Sequence, residues 1–101
     1  MKTVAKMIVW FSFTAGGVLF ADTLDEGKKA FQHHDYLLAV ENFSRSCDAG
    51  NALGCFELGL LNEQGIGTAQ NKYAAQSLYA RACTLGYPKG CANMGVGYDT
   101  P

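Results

Sequence analysis

The sequence has little net charge, no low-complexity segment and no apolar run long enough to cross a membrane. Its 101 residues include 8 lysines and arginines and 9 aspartates and glutamates, a formal charge of −1. That balance supplies no basic field for a nucleic acid, so a nucleic-acid partner is not expected. The absence of low complexity disfavours a disordered chain. A chain of this length forms one domain at most.

The first 21 residues have the pattern of a secretory signal peptide. Lys2 and Lys6 give a positive start, residues 7–20 are mostly apolar, and Ala21 is a small residue at the predicted cleavage site. Fourteen helical residues rise by about 21 Å, which is short of the roughly 30 Å of a bilayer core. This length disfavours the alternative, a retained membrane anchor.

Residues 22–101 are therefore the predicted mature chain. They contain six basic and nine acidic residues, a formal charge of −3. We expect a mildly acidic protein that is secreted or periplasmic and has no membrane association after cleavage.

All four cysteines lie in the predicted mature chain, at Cys47, Cys55, Cys83 and Cys91. In an oxidising compartment, an even number of cysteines in a small chain indicates disulfides. Each pair has a separation of eight residues and the two pairs are offset by thirty-six, which favours the pairing Cys47–Cys55 and Cys83–Cys91. Zinc ligands within a pair are typically separated by two to four residues, so a zinc site is not expected.

A self-comparison at an offset of thirty-six reveals an internal repeat. When residues 36–65 are laid on residues 72–101, alanine, arginine, glycine and cysteine positions coincide. The identical pairs are Ala39/Ala75, Arg45/Arg81, Cys47/Cys83, Gly50/Gly86, Gly54/Gly90, Cys55/Cys91 and Gly59/Gly95. A helical repeat of about this period indicates stacked helix hairpins.

Local signals predict five helices in the mature chain. Asp35, Asn51 and Asn71 are candidate N-caps, and Gly50 and Gly86 are candidate helix stops. The predicted helices cover residues 24–32, 36–47, about 52–64, 72–83, and a fifth that begins at Pro88.

The pattern Ala-Cys-x-x-Gly-x-x-x-Gly-Cys-x-x-x-Gly, with Gly-Ile-Gly and Lys-x-Ala-Ala-x-x-x-Tyr-x-Arg-Ala-Cys, resembles the Sel1-like repeat of the Helicobacter cysteine-rich protein family. The resemblance implies an all-α fold: a right-handed α/α solenoid of hairpins related to tetratricopeptide repeats, with one disulfide at each repeat joint. Members of that family are commonly classed as penicillin-binding proteins or β-lactamases. Other Sel1-like proteins are adaptors.

The organisation expected from this resemblance has four parts. They are a signal peptide (1–21), an N-terminal tetratricopeptide-like hairpin (22–50), a Sel1-like repeat (51–86) and a truncated repeat with only its first helix (87–101). Solenoids need about three repeats and a polar cap. We therefore expect a fragment of a longer array. The alternatives are that the uncapped C-terminal end is covered by dimerisation or is left frayed.

No catalytic residue is recognisable in the sequence. The Ser-x-x-Lys motif of serine β-lactamases is absent. Alanine or cysteine, and not lysine, stands three residues after Ser12, Ser44, Ser46 and Ser77. His33, His34 and Asp35 are adjacent, without the spacing that points two ligands along one helix face, and a solvated loop explains them. No metal or cofactor is expected.

The concave face of a solenoid is lined by the first helix of each repeat and suits an extended ligand. The candidate ligand-binding residues are Glu57, Leu60, Leu61, Gln64 and Asn93. Asn93 is the repeat equivalent of Glu57, and the resembled family often has asparagine there, where its amide can hold a ligand backbone. Glu57 departs from that pattern and favours a cationic or amide donor. The alternative, that the leucines are core and the polar residues merely solvated, stays open.

Two functions are compatible with these residues. One is a non-catalytic binding module for a peptide, a peptidoglycan fragment or a host protein. The other is a slow β-lactam hydrolase, which rests on the resemblance alone.

Overall fold

The computed structural model describes residues 23–98, with side chains for residues 23–94. Five helices follow one another with no strand between them in this part of the chain. They are α1 (residues 23–32), α2 (Tyr36–Asp48), α3 (Ala52–Gln64), α4 (Lys72–Thr84) and α5 (Pro88–Tyr98). The all-α fold is confirmed, and each predicted boundary lies within one residue of the observed one. The predicted signal peptide lies outside the described residues.

Side-chain caps fix where the middle three helices begin. Asp35, Asn51 and Asn71 each accept a hydrogen bond from a backbone N–H two or three residues further on, at 3.0 to 3.4 Å. Each bond satisfies a donor that the first helical turn leaves unpaired. The three caps are those that the sequence predicts.

The turns that follow α2 and α4 have the same backbone geometry. The N–H of Gly50 donates to Cys47 O at 2.9 Å, and the N–H of Gly86 donates to Cys83 O at 3.0 Å. The φ angles of the two glycines are 94° and 103°, a region that glycine occupies without steric strain. The chain therefore leaves each second helix along the same path.

A disulfide closes each of these turns. Cys47–Cys55 joins the last turn of α2 to the first turn of α3, and Cys83–Cys91 joins α4 to α5 in the same way. This is the pairing that the spacing predicts. On the chain-entropy account, closing a loop of this length stabilises the fold by about 2 to 3 kcal/mol.

Close helix approach at each joint requires glycine. A methyl group added at Gly54 would lie 2.5 Å from Ser46 Oγ, and one added at Gly90 would lie 2.9 Å from Ala82 Cβ. Neither distance is tolerated without movement of a helix. Glycine inside a helix costs about 1 kcal/mol relative to alanine, and the closer packing offsets that cost.

Within each hairpin, an aromatic ring of the second helix packs on a glycine of the first. Phe43 of α2 covers Gly27 of α1, and Tyr79 of α4 covers Gly59 of α3. Both rings are 2% exposed, and each belongs to a separate hydrophobic core. Phe43 and Tyr79 are thirty-six residues apart and are repeat equivalents.

The first helices of the two hairpins correspond at a different offset. Gly27 and Gly59 are thirty-two residues apart, four fewer than the two rings that cover them. The difference arises in the hairpin loops, which comprise residues 33–35 and residues 65–71. Equivalent positions in α1 and α3 are therefore thirty-two residues apart.

Ser46 provides a test of the joint between α2 and α3. Its side chain is 0% exposed, and its Oγ has no hydrogen-bond partner among the described residues. Ala82 occupies the equivalent position at the next joint. We expect Ser46→Ala to raise the free energy of unfolding by about 1 kcal/mol, because a buried unpaired hydroxyl costs about 1 to 3 kcal/mol.

Urea denaturation measures this change. Ser77→Ala, at an exposed position of α4, measures the change in the free energy of unfolding that is due to helix propensity alone. A gain for Ser46→Ala no larger than that of Ser77→Ala would contradict the expectation.

The two disulfides should differ in their contribution to stability. Both close loops of equal length, but Cys47 and Cys55 are 1% and 0% exposed, whereas Cys91 is exposed. We expect replacing Cys83 and Cys91 together by alanine to lower the free energy of unfolding by about 2 to 3 kcal/mol. Replacing Cys47 and Cys55 together should cost more, because it also leaves a buried cavity. If urea titrations show the same loss of unfolding free energy for the two double variants, burial of the first disulfide does not add to its stabilising effect.

Candidate functional site

Three helices contribute charged side chains to one surface, which we call the groove face. Lys28 of α1 and Lys89 of α5 both act electrostatically on Glu57 of α3, so the three side chains lie within range of one another. These helices are the first members of successive hairpins. In solenoids, such helices form the extended surface used for binding.

A cavity of about 240 Å³ opens on the groove face between α1 and α3. Lys28, Phe31 and Gln32 line it from α1, and Glu57 lines it from α3. Phe43 of α2 forms its buried floor, while Phe31 is 39% exposed at its rim. The cavity thus combines two aromatic rings with one cation, one amide and one carboxyl group.

The two charged side chains of this cavity influence each other electrostatically but are not joined in an ion pair. Among the described residues, Lys28 and Glu57 form no ion pair within 4.0 Å. Burial raises the pKa of the Glu57 carboxyl above its ordinary value of 4.5, and the charges of Lys28 and Lys89 oppose that rise. Glu57 is therefore partly desolvated without a bonded cation.

The equivalent positions between α3 and α5, beside the second disulfide joint, are occupied differently. The offset of thirty-two carries the α1 residues Lys28, Phe31 and Gln32 onto Leu60, Glu63 and Gln64 of α3. The offset of thirty-six carries Phe43 and Glu57 onto Tyr79 and Asn93. Leucine and asparagine replace the two charges, and tyrosine replaces the phenylalanine floor.

The hydroxyl of Tyr79 connects α4 to α3 beside the second joint. It donates a hydrogen bond to Glu63 Oε1. Burial and the bond to Glu63 raise the pKa of Tyr79, against the opposing effect of Asn93. The hydroxyl stays protonated at neutral pH, and its hydrogen bond links α4 to α3.

The predicted binding residues fall into three groups. Glu57 lines the cavity at the first joint. Leu60, Gln64 and Asn93 lie at the second joint, where Leu60 packs against the core, Gln64 is exposed and Asn93 is half-buried. Leu61 is 4% exposed and belongs to the core of the first hairpin, so its inclusion among the groove residues is corrected.

Four cavity residues were missed from the sequence, namely Phe43 of α2 and the α1 residues Lys28, Phe31 and Gln32. The repeat comparison at thirty-six did not reach α1, because the shorter first loop shifts that helix by four residues. Aligning α1 with α3 on Gly27 and Gly59 makes Lys28 the counterpart of Leu60, and this alignment would have indicated the site.

The His33-His34-Asp35 segment forms the exposed loop between α1 and α2. His34 has a φ of 64° and its ring lies 5.8 Å from that of Tyr36. Within residues 23–94, no group of three histidine, cysteine or acidic side chains is arranged to hold a metal ion. None of the five helices described is long and apolar enough to span a membrane.

Comparison with known proteins gives one informative similarity. No protein-family model matches the chain. Over 74 residues it is 39% identical to a Helicobacter pylori protein named "Putative beta-lactamase HcpC". The match covers 69% of this chain and 26% of that protein, so the chain spans about a quarter of its relative's length. The similarity supports a relationship with the Helicobacter cysteine-rich proteins.

Glu57 should make stability depend on pH. Because folding raises its pKa, the contribution of this carboxyl to the free energy of unfolding is fully present below pH 4.5, where the group is protonated. That contribution is lost as the pH rises through the pKa of the folded state. We expect Glu57→Gln to match the parent protein in free energy of unfolding near pH 3.5 and to exceed it at pH 7. Urea titrations at both pH values measure the difference.

Glu26→Gln, at an exposed position of α1, controls for the loss of one acidic group. Lys28 and Lys89 are unchanged in both variants. A Glu57→Gln variant that is less stable than its parent at pH 7 would show that the lysines outweigh burial.

Proposed function

We propose that this chain is an exported, disulfide-linked Sel1-like repeat protein that binds a peptide or peptidoglycan-like ligand on its groove face. The observation that carries this proposal is the open cavity between α1 and α3. There, Lys28 and Glu57 line the cavity above an aromatic floor and form no ion pair with each other.

Export is supported by the cysteines. Both pairs form disulfides and no free cysteine occurs in the chain, a state typical of oxidising compartments. The repeated turn, glycine and disulfide positions support the Sel1-like assignment. We accordingly propose a signal peptide at 1–21, hairpins at 22–50 and 51–86 and a further repeat that begins at residue 87 and has α5 as its first helix.

Ligand binding is supported by the chemistry of the cavity. Sites for small groups combine apolar walls with a few polar groups that orient the ligand. Phe31 and Phe43 supply the apolar part, while Lys28, Gln32 and Glu57 supply a donor, an amide and an acceptor. Peptides and peptide-bearing cell-wall fragments carry the complementary amide, carboxylate and ammonium groups.

Isothermal titration of the oxidised protein with muropeptides tests the proposal. Gln32→Trp places an indole at the cavity without changing charge, and we expect it to weaken binding about tenfold by occluding the site. Ser77→Trp adds the same ring at an exposed position of α4 and should leave binding unchanged.

Two results would contradict this function. One is the absence of heat exchange with any muropeptide. The other is equal affinity of Gln32→Trp and the parent protein, since binding would then lie elsewhere.

The name of the Helicobacter pylori relative favours a second candidate, a β-lactam hydrolase. Neither Ser46 nor Tyr79 is suited to act as its nucleophile. Ser46 is fully buried. Tyr79 shares a hydrogen bond with Glu63, but its raised pKa keeps the phenol protonated. An activated nucleophile needs a lowered pKa or an adjacent base that takes its proton.

A chromogenic cephalosporin separates the two candidates. The binding proposal predicts hydrolysis by the oxidised protein at the level of a heat-treated sample. Turnover above that level, retained after repeated purification, would establish the hydrolase instead.

A further inference from the structure

We propose that the cavity between α1 and α3 recognises a zwitterionic amino-acid group, with the ligand carboxylate at Lys28 and the ligand ammonium at Glu57. This inference rests on the proposed function, because it names the chemical group that the groove face would select. A free amino acid carries such a group, and so does a peptide side chain that bears both charges.

The first support is the separation of the two charges. Lys28 and Glu57 line one cavity but do not come within 4.0 Å of each other. A ligand with one charge would satisfy only one wall. A ligand that carries both charges can contact both walls, and charge-assisted hydrogen bonds are the stronger class of such contacts.

The second support is the size and lining of the cavity. Its volume of about 240 Å³ is below the range of about 300 to 1,000 Å³ that accommodates drug-sized ligands. The cavity is thus suited to a single amino-acid unit. Phe43 and Phe31 offer apolar surface to the carbon chain, and Gln32 offers an amide to a remaining polar group.

The third support is the comparison with the second joint. Leu60 and Asn93 stand where Lys28 and Glu57 stand in the first, so the two charges are a departure from the repeat. At the second joint the hydroxyl of Tyr79 is already hydrogen-bonded on the groove face. Phe43, its counterpart, has no hydroxyl with which to bridge the cavity.

Four probes that share one side chain separate the two charges. Leucine carries both, leucinamide only the ammonium, N-acetylleucine only the carboxylate, and N-acetylleucinamide neither. Chemical-shift changes at the backbone amides of α1 and α3 report binding to the oxidised, ¹⁵N-labelled protein. We expect leucine to bind about tenfold more tightly than either singly charged probe, since each charged contact contributes roughly that factor.

Two variants assign each charge to its partner. In Glu57→Gln, leucine and N-acetylleucine should bind equally, because the ammonium has lost its acceptor. In Lys28→Met, leucine and leucinamide should bind equally, because the carboxylate has lost its donor. Glu26→Gln and Lys29→Met, at exposed positions of α1 outside the cavity lining, should retain the full preference for leucine.

A further pair of probes distinguishes the two sources of the zwitterion. A terminally blocked peptide with a diaminopimelyl residue carries an ammonium and a carboxylate on its side chain, and the same peptide with lysine lacks that carboxylate. Tighter binding of the diaminopimelyl peptide than of leucine identifies a peptide-borne group, and the reverse order identifies a free amino acid.

Failure of this inference is separate from failure of the proposed function. If muropeptides bind but the four leucine probes show no charge preference, the zwitterion assignment is wrong and the binding function stands. Charge preferences that persist in both Glu57→Gln and Lys28→Met also overturn the assignment. If neither muropeptides nor the leucine probes bind, both proposals are wrong.

Discussion

The disulfide at each helix joint is the constraint on which the rest of the structure depends. Helices of 13 residues such as α2, α3 and α4 are marginal in isolation, and a short chain has limited core to hold them. Cys47–Cys55 and Cys83–Cys91 each fix the end of one helix against the start of the next. Since the turn and the helix-contact glycine repeat along with the sulfurs, the joints are alike and α1, α3 and α5 share one face.

The candidate site arises where the two hairpins differ. In both hairpins, an aromatic ring from the second helix packs on a glycine of the first. Tyr79 carries a hydroxyl that donates a hydrogen bond to Glu63, whereas Phe43 leaves the corresponding space open beside Glu57. Repetition therefore positions the groove face, and substitutions within the repeat determine which part of it stays open.

Most of the fold could be predicted from the sequence because its determinants are local. The caps at Asn51 and Asn71 and the equal cysteine spacings act over fewer than ten residues. The site was predicted less completely. Because α3 packs against both α2 and α4, apolar residues occur around much of its circumference, and spacing alone could not distinguish buried Leu61 from half-buried Leu60. Lys28 was missed because a loop-length difference between hairpins is invisible until the glycine contacts are known.

The electrostatics of Glu57 suit an interaction with a cation. Removing a carboxylate partly from water costs free energy in the unliganded protein, which is why its pKa is raised. The same partial burial reduces solvent screening, so that a ligand cation at this carboxylate is attracted more strongly than at an exposed acid. Tyr79 has no such unmet requirement, because its hydroxyl already donates a hydrogen bond to Glu63. Glu57 is therefore a polar group whose free energy a ligand cation would lower, and it lies in the cavity beside Lys28.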